Sequence, residues 1–241
     1  MAAARQIISG ARVERFAAAL VLGEGSLWAP RLGKWLLVNI HGKAAFTFDS
    51  ATAALTPFAL PEQVGTIVLR APAAGRGEQA LVALKSGLAF LDLASGALER
   101  LPGAPAEPPK NRWNDGKCSP EGRFWGGTME DATFSPGVGS LSCPAAPAPG
   151  AAAPPPPRKA LGGVTISNGL AWAPDGRTMY YIDTPRNDVQ VRHAARAARP
   201  RRGPAAARFG RAALPTRARP DRPHFHPPLF RPLTTTPPRA R

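Results

Sequence analysis

A short motif that recurs four times limits what this chain can fold into. Each copy is an apolar segment, a turn built on Pro and Gly, and a second apolar or aromatic segment. Pro presets φ at an early turn position and Gly takes the positive φ that closes the turn, so each copy predicts a β-hairpin. The four copies are Trp28–Val38, Leu69–Leu84, Cys118–Thr128 and Trp172–Ile182.

A second hairpin type alternates with the first. Phe46–Leu55 and Ala89–Leu98 superpose at a spacing of 43 residues, and in each an Asp (Asp49 or Asp92) follows a strand and can accept hydrogen bonds from turn amides. Two hairpins every ~40–50 residues are typical of the four-stranded blades of a β-propeller. A β-sandwich is the alternative, but it offers no reason for a fixed two-hairpin period. We therefore predict an all-β propeller fold with about four blade units.

The domain boundaries follow from where this pattern begins and ends. We predict an N-terminal lead at 1–13, a partial propeller at 14–191 and a disordered basic tail at 192–241. A Pro/Ala-rich insertion near 143–160 interrupts the third unit, because its prolines cannot join a ladder. Four units leave an open arc with exposed strand edges. We expect the arc to be completed by blades outside this sequence or by another subunit.

Charge and composition limit the classes of partner. The net charge is +15, and the tail alone holds 13 Arg, 10 Pro and the single acid Asp221. Such a segment could bind nucleic-acid phosphates without specificity, but few aromatic residues and no recognised module accompany it, so nucleic-acid binding is the less favoured alternative. We interpret the pair His224 and His226 as incidental. Neither a disulfide framework nor a membrane span is indicated, because there are two cysteines and no apolar run of ~18–20 residues.

These features predict a cytoplasmic protein with no membrane partner. The first residues, however, faintly resemble a transit peptide, which would indicate an organelle rather than the cytoplasm.

Polar residues recur just before the first hairpin strand of three units, in the segments Gly23–Gly25, Arg112–Lys117 and Ser167–Leu170. The innermost strands of a propeller line its central channel, so these segments should converge at one end of it. Glu24 and Asn168 would offer hard oxygen ligands for Ca²⁺, Mg²⁺ or Mn²⁺. Arg112 and Asn114 would offer hydrogen-bond donors to a polyhydroxylated ligand. The alternative is that the Asn-Asp-Gly and Asn-Gly pairs simply form turns.

The same segments resemble the regucalcin–gluconolactonase family, also called senescence marker protein. The resemblance covers roughly residues 13–191, about the N-terminal half of the family domain. It rests on Leu22–Trp28, Asn111–Lys117, Gly126–Met129, Ile166–Trp172 and Tyr180–Asp183. It implies a six-bladed propeller that binds one divalent metal in its channel and hydrolyses sugar lactones. By position, Glu24 and Asn168 match metal ligands of the family, and Arg112 and Asn114 match residues that contact the lactone.

The chain also departs from the family pattern. The family's third metal ligand, an Asp that also serves as general base, has no counterpart here, and Asp221 lacks the expected surroundings. Glu130 and Asp131 are candidates for an acidic residue that often follows the Gly-Thr-Met segment, and we assign Asp115 and Lys117 to turn and channel structure.

We therefore predict hydrolysis of a sugar lactone that depends on one divalent ion (Ca²⁺, Zn²⁺, Mn²⁺ or Mg²⁺), with the general base unknown. The alternatives are a non-catalytic Ca²⁺- or sugar-binding remnant and a truncated or misread gene product.

Overall fold

The structure, a computed structural model, describes residues 6–8, 11–13, 20–144 and 155–193. Within these ranges strands dominate, with one short 3₁₀ helix, η1 (Thr184–Arg186). No helix among them is long and apolar enough to cross a membrane. The strands are β1 (Gln6–Ile8), β2 (Ala11–Val13), β3 (Gly23–Ala29), β4 (Lys34–Asn39), β5 (Ala44–Asp49), β6 (Ala54–Ala59), β7 (Val64–Leu69), β8 (Gln79–Leu84), β9 (Gly87–Asp92), β10 (Leu98–Arg100), β11 (Asn111–Cys118), β12 (Phe124–Glu130), β13 (Gly139–Pro144), β14 (Pro157–Val164), β15 (Ser167–Trp172), β16 (Thr178–Asp183) and β17 (Gln190–His193).

Four antiparallel sheets, each built from strands consecutive in sequence, form the blades. Blade 1 is β3 to β6, blade 2 is β7 to β10, blade 3 is β11 to β14, and blade 4 is β15 to β17. A separate two-stranded sheet pairs β1 with β2. The prediction of an all-β fold with four blades in a propeller arrangement is confirmed.

The two predicted hairpin types occupy fixed places in the blades. The Pro/Gly type joins the first and second strands of a blade, and its turn glycines Gly33, Gly122 and Gly176 have φ of 63°, 79° and 65°. The Asp type joins the third and fourth strands. Asp49 accepts hydrogen bonds from the amides of residues 51 and 52, and Asp92 accepts them from residues 94 and 95. The two turn types therefore join strands that are neighbours within a blade, as the sequence predicts.

The core lies between neighbouring blades. Where blade 1 faces blade 2, the buried side chains include Leu36, Val38, Ile67, Val82 and Leu91. Where blade 2 faces blade 3 they include Leu81, Leu88, Phe90, Trp113 and Phe124. Where blade 3 faces blade 4 they include Leu141, Val164, Leu170, Met179 and Tyr181. Each blade thus buries an apolar face against the next, which holds the first strands side by side.

The predicted insertion is shorter than expected. The sequence pattern places residues 143–158 outside the ladder, but Cys143 pairs with Arg158 and Pro144 pairs with Pro157. The two prolines pair at the end of the hairpin, where the ladder needs few further amide donors.

Residues 145–154 lie outside the described residues, as do Asp221, the pair His224 and His226, and the predicted tail except for its first two residues. The lead at 1–13 is described only in β1 and β2. The predicted domain boundaries stay predictions.

Candidate functional site

A β-bulge interrupts the first strand of every blade at the same level. The register shifts between Glu24 and Leu27, between Val64 and Thr66, between Trp113 and Gly116, and between Asn168 and Leu170. A bulge places extra residues opposite one partner residue and re-aims their side chains. All four predicted site residues lie on these bulged strands, at or beside the irregularity.

The bulged strands approach one another closely at this level. A Cβ added to Gly65 of blade 2 would lie 2.3 Å from the carbonyl oxygen of Trp113 in blade 3. Thr66 donates its hydroxyl hydrogen to the carbonyl oxygen of Gly116 at 3.1 Å. A Cβ on Gly25 of blade 1 would lie 3.7 Å from the Thr66 hydroxyl oxygen. Small residues at the bulges therefore bring the backbones of blades 1, 2 and 3 together at one end of the inner strands.

Arg112 and Asn114, two of the predicted site residues, contact each other. Arg112 is 4% exposed, and its Nη1 donates to Asn114 Oδ1 at 2.7 Å and to the Trp113 carbonyl oxygen at 3.1 Å. Asn114 Nδ2 in turn donates to the carbonyl oxygen of Ser167 in blade 4 at 2.8 Å. A guanidinium group has five N–H donors. The hydrogen bonds of Arg112 use Nε and Nη1, and the two donors on Nη2 bond to no described residue. The pair is held rigidly and keeps donors available.

Asp131 is the residue that orients Arg112. Arg112 Nε donates to Asp131 Oδ1, and Gln63 Nε2 donates to Asp131 Oδ2 at 2.7 Å. Gln63 Nε2 also lies 3.0 Å from His41 Nδ1, on the loop between β4 and β5. Burial alone would raise the pKa of Asp131, but the hydrogen bonds from Arg112 and Gln63 outweigh it and hold the pKa below its usual value.

A hydrogen-bonded chain therefore reaches from blade 1 to blade 4 through Asp131, Arg112 and Asn114. Sequence reasoning considered Asp131 only as one of two acids after Gly-Thr-Met, and it missed Gln63 and His41, which lie in loops without any motif. The other acid, Glu130, accepts hydrogen bonds from residues of the loop that follows it. Hydrogen bonds from the hydroxyl and amide of Thr133, with those from neighbouring amides, lower the pKa of Glu130 to about 2.

The turn interpretation of the Asn-Asp-Gly and Asn-Gly pairs is wrong. Both pairs lie inside strands, at the bulges of β11 and β15, because inter-strand pairing continues on either side of them. Asp115, which we assigned to turn and channel structure, accepts the Gly116 amide hydrogen at 2.8 Å. Burial raises the pKa of Asp115, although the amides of Gly116 and Gly169 and the charge of Lys117 act against this. Asp115 thus stabilises the backbone of the bulge of blade 3.

Asn168 and Glu24 offer the oxygen atoms expected of metal ligands. Asn168 Oδ1 accepts the Gly169 amide hydrogen at 3.2 Å, and Asn168 Nδ2 donates to Thr184 Oγ1 at 3.2 Å. These two hydrogen bonds fix the orientation of the Asn168 side-chain amide. The Glu24 side chain is exposed, and its carboxylate accepts no hydrogen bond from the described residues. Carboxylate and amide oxygens suit a hard divalent cation. No group of three His, Cys, Asp or Glu that could hold a metal occurs among the described residues, so this set is chemically suitable but small.

The geometry and the sequence comparison agree on the family. The family model for the "SMP-30/Gluconolactonase/LRE-like region" matches residues 22–221. The chain belongs to this family. The match extends past residue 191, where the hairpin pattern ends, into a part of the chain outside the described residues. The roles of Glu24, Arg112, Asn114 and Asn168 toward a metal and a lactone stay predictions.

Several characterised relatives are similar over most of this chain. A 6-deoxy-6-sulfogluconolactonase from Pseudomonas putida is 33% identical over 175 residues, which are 72% of this chain and 55% of that protein. Regucalcin from Xenopus laevis is 30% identical, covering 68% of this chain and 52% of that protein. An L-arabinolactonase from Azospirillum brasilense is 31% identical, covering 70% and 53%. The chain therefore spans about half the length of the curated relatives it matches.

Solved structures agree with the fold. The calcium-binding protein regucalcin from Agrobacterium tumefaciens superposes with a TM-score of 0.62 at 28% identity, covering 74% of this chain and 56% of that one. A luciferin-regenerating enzyme superposes with a TM-score of 0.63 at 26% identity, covering 74% and 57%. The four blades thus correspond to a little over half of a family propeller.

Proposed function

We propose that this chain carries the lactone-binding part of a metal-dependent sugar lactonase. The observation that supports this most is the Arg112–Asn114 pair, locked by Asp131 and by blade 4 at the level where all four inner strands bulge. Three of the relatives that match it are named as lactonases or regucalcins. The proposed substrate is a sugar lactone, a small molecule.

The described residues bind and orient the substrate. The free Nη2 hydrogens of Arg112 and the second amide hydrogen of Asn114 donate to ring hydroxyl groups or to the lactone oxygens. Because both side chains are already held by other contacts, little conformational entropy is lost when the sugar binds. Holding the lactone in the correct orientation toward the attacking water lowers the activation barrier of hydrolysis.

Glu24 and Asn168 would hold the divalent ion through a carboxylate and an amide oxygen. Such an ion, when bound, polarises the lactone carbonyl and stabilises negative charge that develops on its oxygen. Ca²⁺ takes six to eight oxygen ligands and Mg²⁺ six, so water and further oxygen atoms must complete the shell. A general base is not assigned among the described residues.

The test is hydrolysis of gluconolactone by the purified 241-residue chain with added Ca²⁺, Zn²⁺ or Mn²⁺ and again with chelator. We expect turnover above the spontaneous rate that disappears with the chelator. Glu24→Gln should abolish this turnover and weaken metal binding measured by calorimetry. The matched control is Glu121→Gln, which removes one exposed carboxylate from the turn between β11 and β12, at the far end of the inner strands.

Two results would change the proposal in different ways. Turnover that is equal in Glu24→Gln and in the unsubstituted chain would contradict the assignment of Glu24. Saturable binding of gluconolactone without turnover would instead favour a non-catalytic sugar-binding protein, the alternative suggested by the unassigned third metal ligand. Loss of that binding in Asn114→Ala would then still locate the ligand at the bulges.

A further inference from the structure

A cavity lies between blades 2 and 3, apart from the bulges. It is a cavity of about 420 Å³, within the ~300–1,000 Å³ range of small-molecule sites. Its floor is apolar and is formed by Leu81, Leu88, Phe90 and Phe124, which belong to the core between these two blades. The cavity therefore combines a water-excluding floor with an opening to solvent.

Three arginines, Arg70, Arg76 and Arg123, line the same cavity, and no Asp or Glu does so among the described residues. Arg70 lies over the Phe90 ring at 3.4 Å from its centroid, and its Nη1 donates to Gln79 Oε1 at 2.6 Å. Arg76 donates to the Ala71 carbonyl oxygen. None of the three forms an ion pair in the described part of the chain.

The rim formed by these three arginines is compensated only at a distance: Glu99, Glu78 and Glu121 interact with Arg70, Arg76 and Arg123 respectively, and none of them forms an ion pair with these arginines in the described part of the chain. Burial, followed by the nearby charge of Arg76, lowers the pKa of Arg70, and Glu99 offsets this only in part. Glu121 is near enough to Arg123 for the two charges to interact, but it does not reach ion-pair distance. An anion placed at the rim would relieve this repulsion.

The cavity is distinct from the bulges. It lies beside Leu69 and Cys118, at the ends of β7 and β11, whereas the bulges lie at Val64–Thr66 of β7 and Trp113–Gly116 of β11. The four residue-to-residue steps from Gly65 to Leu69, like those from Asn114 to Cys118, span about 13 Å at ~3.3 Å per step. A ligand here would not overlap the proposed lactone site.

We propose that this cavity binds a small amphipathic carboxylate, with an aromatic or short aliphatic body on the apolar floor beside the Arg70–Phe90 stack and the carboxylate against the arginine rim. Guanidinium recognises carboxylate through paired N–H donors, and the stacked Arg70 is already positioned to offer them. The apolar body contributes through burial of its surface. The inference is independent of the proposed lactonase function.

The test compares 2-naphthoate with the neutral isostere 2-naphthamide by calorimetry on the 241-residue chain. We expect the amide to bind at least about tenfold more weakly, as loss of a charge-assisted hydrogen bond implies. Arg123→Gln should raise the Kd of naphthoate about tenfold and leave that of naphthamide unchanged. The matched control is Arg177→Gln, an exposed arginine in the turn of blade 4 outside the cavity, which should leave both constants unchanged.

A second measurement guards against misfolding of a variant. Arg123→Lys keeps the charge and should hold naphthoate affinity within about threefold of the unsubstituted chain. Cys118 lines the cavity, so saturating naphthoate should slow its alkylation by iodoacetamide, mapped by mass spectrometry. Equal affinity for acid and amide, an equal effect of Arg177→Gln, or unprotected Cys118 would each overturn the proposal.

Discussion

At the scale of single residues, Asp131 has the most consequential contacts of the described site. It is the carboxylate partner of Arg112, whose side chain is 4% exposed, while Asp131 itself is 18% exposed. Without this carboxylate, the buried guanidinium would keep only the neutral acceptors Asn114 Oδ1 and the Trp113 carbonyl oxygen, which do not compensate its charge. Asp131 therefore stabilises the fold and fixes the direction of the Arg112 donors at the same time.

We expect Asp131→Asn to lower the free energy of unfolding by about 2 kcal/mol, since it removes a charge-assisted hydrogen bond to a buried guanidinium. Urea denaturation measures this change. The control is Asp188→Asn, which breaks an ion pair with Arg186. Because the Arg186 and Asp188 side chains are 56% and 44% exposed, we expect this variant to lose under about 1 kcal/mol of unfolding free energy. Equal losses in the two variants would mean that Arg112 finds other partners.

At the scale of elements, the close approach of the bulged strands matters more than any single side chain. Blades 2 and 3 meet through the backbone at Gly65, where a Cβ would lie 2.3 to 2.5 Å from carbonyl atoms of Trp113 and Asn114. Backbone atoms cannot rotate away as a flexible side chain can. The bulge of blade 3, which bears Asn114, therefore keeps its place only while Gly65 stays small.

We expect Gly65→Ala to destabilise the chain by about 1–3 kcal/mol through overpacking and to weaken gluconolactone binding, because β11 must move. The control is Gly77→Ala, where an added Cβ would meet only Asp92 Oδ2 at 3.6 Å. Urea denaturation and calorimetry with the lactone measure the two effects. A Gly65→Ala chain as stable as Gly77→Ala would show that the strands can separate at little cost.

At the scale of the whole molecule, the two end blades present apolar side chains that no described sheet covers. In blade 1 these are Trp28 and Trp35, exposed by 41% and 38%. In blade 4 they are Tyr180, Ile182 and Val191. Alternate residues Met179 and Tyr181 of β16 are buried against blade 3, so the outward residues form a second apolar face of the same sheet. Exposed apolar faces of this kind favour association.

We expect the purified 241-residue chain to self-associate, with a mass in sedimentation equilibrium that rises with concentration. Substituting Tyr180→Ser and Ile182→Ser together should shift the distribution toward the monomer. Phe134→Ser is the control, because Phe134 is 51% exposed but lies on a loop of blade 3 away from both end faces. A constant monomeric mass at every concentration would contradict the expectation that another subunit completes the arc.

Local chemistry made the hairpins predictable from the sequence. Pro and Gly at Pro120–Gly122, and Asp at Asp49 and Asp92, impose turn geometry through bonds to their own neighbours, so no distant contact is needed. The period of these hairpins then indicates blades, and the motifs around Glu24, Arg112 and Asn168 indicate the family. The insertion boundaries were less predictable, because Pro144 and Pro157 pair only when the two strands are already aligned.

The sequence by itself thus determined the strands, their order and the residues that end up on the inner strands, because these depend on interactions between near neighbours. Only the tertiary structure decided that Asn114 and Gly169 lie in bulges rather than turns, that Asp131 rather than Glu130 holds Arg112, and that Gln63 joins them. The physical reason is separation along the chain. Gln63 and Asp131 are 68 residues apart, and their hydrogen bond exists only because three blades pack around one axis.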